Sequence, residues 1–175
     1  MAVETTAPAQ APALRLLRMT LNGRPVELEI APRELLLPVL RDRLGMKGAK
    51  LSCDVQVCGA CTVLLDGVPV SSCTTLAYEA DGKSVETIEG LAHDGRLHPI
   101  QAAFIECGAF QCGFCTSGMI LSTKALLAET ARPTRDEIAA YLSGNICRCT
   151  GYWNIITAVE DAAGRLAGDG EEEGA

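Results

Sequence analysis

Aromatic residues are scarce: three Phe, three Tyr and one Trp make up 4% of 175 residues. Any core must therefore be built from Leu, Val, Ile and Ala, and these keep the hydrophobic fraction at 48%, with only 21% charged. That is the composition of a chain that folds. Cationic charge is also in deficit. Fifteen Lys and Arg stand against 22 Asp and Glu, a formal net charge of −7. Such a balance argues against nucleic acid, which is held through Lys and Arg at its phosphates. Part of the acidity gathers in Asp169 and Glu171–Glu173. No apolar run approaches the roughly 18–20 residues of a membrane span. The first dozen residues, MAVETTAPAQAP, have no basic n-region, no apolar h-region and no twin-Arg pair. These absences lead us to expect a disordered arm over 1–13, an acidic disordered tail over 168–175 and a cytoplasmic protein.

Cysteine is what the chain has in excess, with nine residues. A reducing cytoplasm disfavours stable disulfides, so clustered cysteines there point first to metal binding or redox chemistry.

Local patterns give a frame for them. Leu14 to Leu21 and Val26 to Ile30 alternate as half-buried strands do, around Asn22-Gly23, a strong hairpin signal. Glu34 to Leu44 has helical spacing with Pro38 near its first turn. Gly45 to Ala60 shows no period and reads as a loop. Cys61 to Leu65 and Val68 to Val70 flank a second hairpin turn, Asp66-Gly67. A short helix over Thr74 to Tyr78 and a last strand over Ser84 to Ile88 complete a small α+β sheet domain, 14–90, with a loop-borne site. Beyond a connector at Gly90–Gly95 the pattern becomes helical: Pro99–Cys107, Thr116–Glu129, Thr134–Leu142 with a Thr134/Glu137 capping box, and Tyr152–Leu166. An all-α domain over 91–167 is the expectation.

The first cysteine set is Cys53-x4-Cys58-x2-Cys61, with Cys73 after eleven intervening residues. This is the plant-type [2Fe–2S] ferredoxin spacing. Two sulfide-bridged irons need four thiolates; three can come from one tight loop, and the fourth arrives from a neighbouring element. The oxidised cluster with its thiolates carries a formal charge of roughly −2, which backbone N–H groups must offset. The second set is Cys112-x2-Cys115 with Cys147-x-Cys149. The C-x-x-C pair falls at an expected helix N-terminus, where the dipole favours thiolate. On spacing alone this set also suits zinc with four thiolate ligands, although zinc loops usually pair two C-x2-C units. Cys107 has no partner in either pattern and reads as a small packing residue.

The stretches LSCDVQVCGACTVLLDG, SSC, FQCGFCTSGMI and GNICRCTGYWNI resemble the iron–sulfur subunit or domain of the molybdenum hydroxylases, the family of xanthine dehydrogenase, aldehyde oxidoreductase and carbon monoxide dehydrogenase. The resemblance covers residues 14 to 167 and includes both cysteine patterns in the family's order. It implies a plant-type ferredoxin-like (β-grasp) domain followed by a helical [2Fe–2S] domain. It implies that Cys53, Cys58, Cys61 and Cys73 hold the cluster nearer a flavin, and that Cys112, Cys115, Cys147 and Cys149 hold the cluster nearer molybdenum. Gln111 corresponds to a glutamine that hydrogen-bonds molybdopterin, and Cys149 to the cysteine whose sulfur approaches the pterin edge. The implied partners are a large molybdopterin (Mo) subunit and a medium FAD subunit, in a dimer of heterotrimers. Ser117, Cys107 and Trp153 stand where the family usually has Pro, His and Gln. Electrons would pass singly from the pterin through the two clusters to the flavin, and no catalytic side chain is expected here. Two other classes stay open on the residues themselves: a free-standing two-cluster shuttle and a zinc-binding interaction module.

Overall fold

The computed structural model describes residues 13–172. The expected arm over 1–13 falls almost wholly outside them, as do 173–175 of the expected tail. The rest of that tail is a correction: the last helix runs from Trp153 to Glu172, past the boundary expected at 168. Its ladder simply continues through Gly164 and Gly168, at neither of which would an added Cβ meet a neighbour.

The first two strands, β1 (Arg15–Leu21) and β2 (Arg24–Ile30), pair antiparallel from Arg15–Ile30 to Leu21–Arg24. The turn works because Asn22 (φ 50) and Gly23 (φ 78) both accept the left-handed conformation that a two-residue hairpin demands. Alternate β1 residues Leu17, Met19 and Leu21 point into the core. The helix expected over Glu34–Leu44 is shorter and wider. Helix α1 (Leu36–Pro38) passes at once into a π-helix over Val39–Arg43, closed by Leu44 N–H donating to the Val39 carbonyl at 3.1 Å. Pro38 has no N–H to serve the carbonyl four residues back. That carbonyl, Glu34 C=O, instead accepts from Ala77 N–H at 2.8 Å. Leu36, Leu37, Val39 and Leu40 are buried beneath the segment.

A second hairpin, β3 (Thr62–Leu65) and β4 (Val68–Ser71), turns at Asp66 (φ 49) and Gly67 (φ 82). The helix expected over Thr74–Tyr78 is displaced to a 3₁₀ turn at Ala77–Ala80. Strand β5 (Ser84–Glu86) then inserts between the hairpins, parallel to β1 and antiparallel to β3, giving the order β2-β1-β5-β3-β4. All four β3 residues are buried, because both faces of this strand are covered. Val63 and Leu65 join the core of the sheet half, and Leu64 joins the core of the helical half.

The helical half follows the expected spans closely. Helix α2 (Pro99–Glu106) has Pro99 at its first position, and His98 Nδ1 accepts from Ile100 N–H at 3.2 Å as its cap. Helix α3 (Thr116–Glu129) is central. It lies between the sheet and the other helices and buries Gly118, Met119, Leu121 and Thr123 among others. Helix α4 (Arg135–Tyr141) opens on the Thr134/Glu137 capping box, and α5 (Trp153–Glu172) closes the bundle, burying Ile155, Ala158, Val159 and Ala162. Among the described residues no helix is long and apolar enough to cross a membrane.

Candidate metal centres

Four cysteines gather at the edge of the sheet. Cys53 and Cys58 lie in the loop that leads to β3, Cys61 immediately precedes β3, and Cys73 follows β4. The loop is anchored at its start by the Arg41 guanidinium, which donates to the carbonyls of Lys47 (2.7 Å) and Ala49. Lys50 N–H donates to the Ala60 carbonyl at 2.9 Å and closes it. Between these points Asp54 (φ 58), Gln56 (φ 59) and Gly59 (φ 67) adopt left-handed backbone. These turns aim three amides at one atom: the N–H groups of Val55, Val57 and Cys58 reach Cys53 Sγ at 3.5, 3.3 and 3.4 Å. The result is an anion nest. It lowers the Cys53 thiol to about 6. Cys61 goes the other way: burial, together with its neighbour Cys73, pushes it up to about 11. Ser72 Oγ donates to the Cys61 carbonyl at 2.6 Å and brings Cys73 to the same place. Deep thiols of this kind shed their protons when they bind a metal.

The second set gathers at the end of the helical half. Cys112 and Cys115 flank Gly113 (φ 78), and Cys115 is the N-cap of α3. Cys147 and Cys149 follow the 3₁₀ turn Leu142–Gly144 that ends α4. Cys112 and Cys149 are exposed with their sulfurs 3.6 Å apart, close to the separation of two thiolates on one tetrahedral metal with bonds of about 2.3 Å. The Cys115 thiol hydrogen-bonds Cys147 and feels Cys112. The two thiols of this pair shift in opposite directions. Cys112 is lowered, first by the N–H of Phe114 and then by the Cys149 thiol. Cys115 is pushed up to about 12, first by burial and then by its neighbour Cys147. At Cys147 burial acts upward, but the Thr150 hydroxyl and amide (3.1 and 3.4 Å) together with other donors bring it below its ordinary value. Tyr152, itself at φ 68, accepts from Cys147 N–H at 2.8 Å through its hydroxyl.

The eight motif cysteines thus form two groups of four. Cys107 joins neither: it is half-buried at the end of α2, and after burial its neighbours are Asp161, Arg165 and Glu106. Gln111 is exposed beside Cys112. Trp153 is 70% exposed, with the Arg135 guanidinium 4.5 Å from its ring centre. Ser117 is buried, and its hydroxyl donates to the Gly48 carbonyl at 2.6 Å, tying α3 to the first cysteine loop. Sequence reasoning missed Thr150, Tyr152, Ser122 and Asn145. Asn145, Thr150 and Tyr152 carried a local signal, their place around the C-x-C pair in GNICRCTGYWNI, and Ser122 carried none.

Comparison with known proteins follows the same division. Residues 19–92 match the family described as "2Fe-2S iron-sulfur cluster binding domain", and residues 87–160 match the "[2Fe-2S] binding domain" family. The chain is 44% identical to the aldehyde oxidoreductase iron-sulfur-binding subunit PaoA of Escherichia coli (strain K12), over 92% of this chain and 78% of that protein. It is 46% identical to the xanthine dehydrogenase iron-sulfur-binding subunit of Escherichia coli O157:H7, over 81% of this chain and 90% of that protein. Among solved structures, a chain of quinoline 2-oxidoreductase from Pseudomonas putida 86 superposes with a TM-score of 0.86 at 45% identity, covering 90% of this chain and 98% of that one.

Proposed function

Because the chain belongs to the iron–sulfur subunits of the molybdenum hydroxylase family, we propose that its two cysteine groups hold two [2Fe–2S] clusters. They pass electrons singly from a molybdopterin centre to a flavin, each carried on a partner subunit. The chain is the electron-transfer subunit of an oxidoreductase, and the substrate chemistry lies on a partner. In this reading residues 14–90 are a ferredoxin-like (β-grasp) domain and 91–167 a helical cluster domain. Cys53, Cys58, Cys61 and Cys73 ligate the cluster nearer the flavin. Cys112, Cys115, Cys147 and Cys149 ligate the one nearer molybdenum, with Gln111 and Cys149 facing the pterin. The partners are a large molybdopterin subunit and a medium FAD subunit, assembled as a dimer of heterotrimers in the cytoplasm, where thiols stay reduced.

One observation carries the reading: eight cysteines form two separate groups of four, and the ninth stands apart. The donor set suits the clusters. Four thiolates serve each group, the Cys53 nest supplies amides to a sulfur that gains negative charge on reduction, and Thr150 does the same at Cys147. A [2Fe–2S] cluster supplies one-electron chemistry when bound. The protein's share is to bind it, shield it and set its charge balance. A closed zinc site asks four ligands to converge on one ion. Zinc loops usually pair two C-x2-C units, and the Cys147-x-Cys149 half departs from that pattern. The helical half counts against a diffusing shuttle, for which the first unit alone would suffice.

Iron and acid-labile sulfide analysis tests the proposal. Two clusters require about four irons per chain, and zinc without sulfide would sink it. Cys112→Ser should abolish one of two EPR signals and leave the other.

A further inference from the structure

The two cysteine groups sit on separate hydrophobic cores, yet their loops touch. Ile146 N–H donates to the Cys58 carbonyl at 2.9 Å. A single hydrogen bond therefore joins one member of the first group to the residue before Cys147. The residue packed beside this contact is Asn145, 6% exposed. Its Nδ2 donates to the Gly59 carbonyl at 3.2 Å and lies 3.5 Å from Thr62 Oγ1, while its Oδ1 accepts from Ser122 Oγ at 2.9 Å. One carboxamide thus spans the first cysteine loop, strand β3 and helix α3.

The packing around it leaves no slack. Gly59 is in left-handed backbone, and a Cβ there would meet the Gly144 carbonyl oxygen at 2.6 Å and the Asn145 carboxamide carbon at 2.8 Å. A Cβ on Gly118 would overlap the Gly59 carbonyl oxygen. Backbone meets backbone here, and only a side chain that donates on one edge and accepts on the other satisfies both sides. Aspartate would still accept from Ser122 but would turn an oxygen toward the Gly59 carbonyl. Alanine would leave the buried Ser122 hydroxyl without its acceptor.

We propose that Asn145 is a positioning residue for electron transfer between the two clusters. Its carboxamide, oriented by Ser122, holds the Cys58 carbonyl against the Ile146 amide and so fixes the separation of the two thiolate groups and the bonded route between them. The inference rests on the two-cluster reading above. The step it serves is one electron lost by the reduced second cluster and gained by the oxidised first, with no bond made and no proton moved.

The test uses the full chain in the complex with which it purifies, comparing Asn145→Asp, Asn145→Ala and Ser122→Ala. Each variant is assayed for iron, for the magnetic interaction between the clusters in the EPR spectrum of the fully reduced protein, and for hydrogen exchange in the peptide containing Ile146. The expected result is full iron and both signals, a weakened interaction, and exchange at Ile146 faster by about tenfold or more for Asn145→Ala. Ser122→Ala should shift both readouts the same way by less. Wild-type interaction and wild-type exchange in a fully loaded Asn145→Ala protein would overturn the inference. Should that variant fail to load, the same wild-type values in Ser122→Ala, which leaves Asn145 in place, overturn it instead. A wild-type chain with zinc, or with one EPR signal, defeats the two-cluster reading and is distinguishable from either outcome.

Discussion

Replacing Thr150 by Val removes one hydroxyl from the second centre and almost nothing else. The two side chains are nearly the same size, but Val cannot supply the Oγ1 donor that reaches Cys147 Sγ at 3.1 Å. The Thr150 amide, 3.4 Å from the same sulfur, stays in place. Tyr152 N–H loses its 3.3 Å acceptor as well, a stability cost of about 1 kcal/mol. Reduction adds negative charge to the cluster and its sulfurs, so a donor to Cys147 favours the reduced state and its loss must lower the potential. A typical net hydrogen bond contributes about 0.5–1.5 kcal/mol, and a one-electron couple moves about 59 mV for each tenfold change in equilibrium. Only the difference between oxidation states counts, so the potential should fall by tens of millivolts, with about 65 mV as the ceiling. An EPR-monitored redox titration of the assembled complex reads each cluster separately, and Thr150→Ser, which keeps the hydroxyl, should titrate with the wild type. An unchanged or higher potential at the second cluster, or a shift confined to the first, would refute the reasoning.

Gly118→Ala forces α3 away from the Gly59 carbonyl. Overpacking of this kind costs about 1–3 kcal/mol, and a chemical denaturation midpoint equal to wild type would contradict the close approach. Cys107→Ala should leave the iron content at about four per chain; a loss of iron would return Cys107 to the ligand set. His98 is held below its ordinary value, first by burial and then by the Lys124 charge, and its Nδ1 must stay unprotonated to cap α2. Its contribution is therefore present above the ordinary histidine pKa and is lost as pH falls through the lower folded one. Between about pH 7 and 5 the wild type should lose stability more steeply than His98→Asn, which caps without titrating; parallel pH profiles would argue against the cap.

Much of this was legible because the informative residues are local. Asn22-Gly23 and Asp66-Gly67 each place two residues where φ must be positive, and both hairpins turn there. Thr134 and Glu137 announce α4 within four residues. The cysteine spacings separate two groups of four from Cys107. What stayed hidden depends on distant partners. The π-helix follows from Pro38 together with Ala77, which takes the carbonyl that Pro38 cannot serve. The Cys115 thiol is raised by a burial that no spacing reports. Asn145 lies within the GNICRCTGYWNI stretch, but its partners are 86 and 23 residues away and no local pattern names them. Ser117 was visible only as an unusual residue; its bond to Gly48 crosses 69 residues.

Strand β5 spans only Ser84–Glu86, yet it is the member that joins the two hairpins, and it is the last of the five strands in sequence. A lone hairpin is marginal in water. During synthesis β1–β2 and β3–β4 can each form early, but neither has a sheet to belong to until residue 86 has been made. The side chain of Asn22, which exchanges hydrogen bonds with Thr87, locks that seam only then. All four cysteines of the first group precede it in sequence, and two of them, Cys61 and Cys73, are buried in the core the seam completes. Residue 86 thus closes the sheet beside the first cysteine group with a strand that holds none of its cysteines.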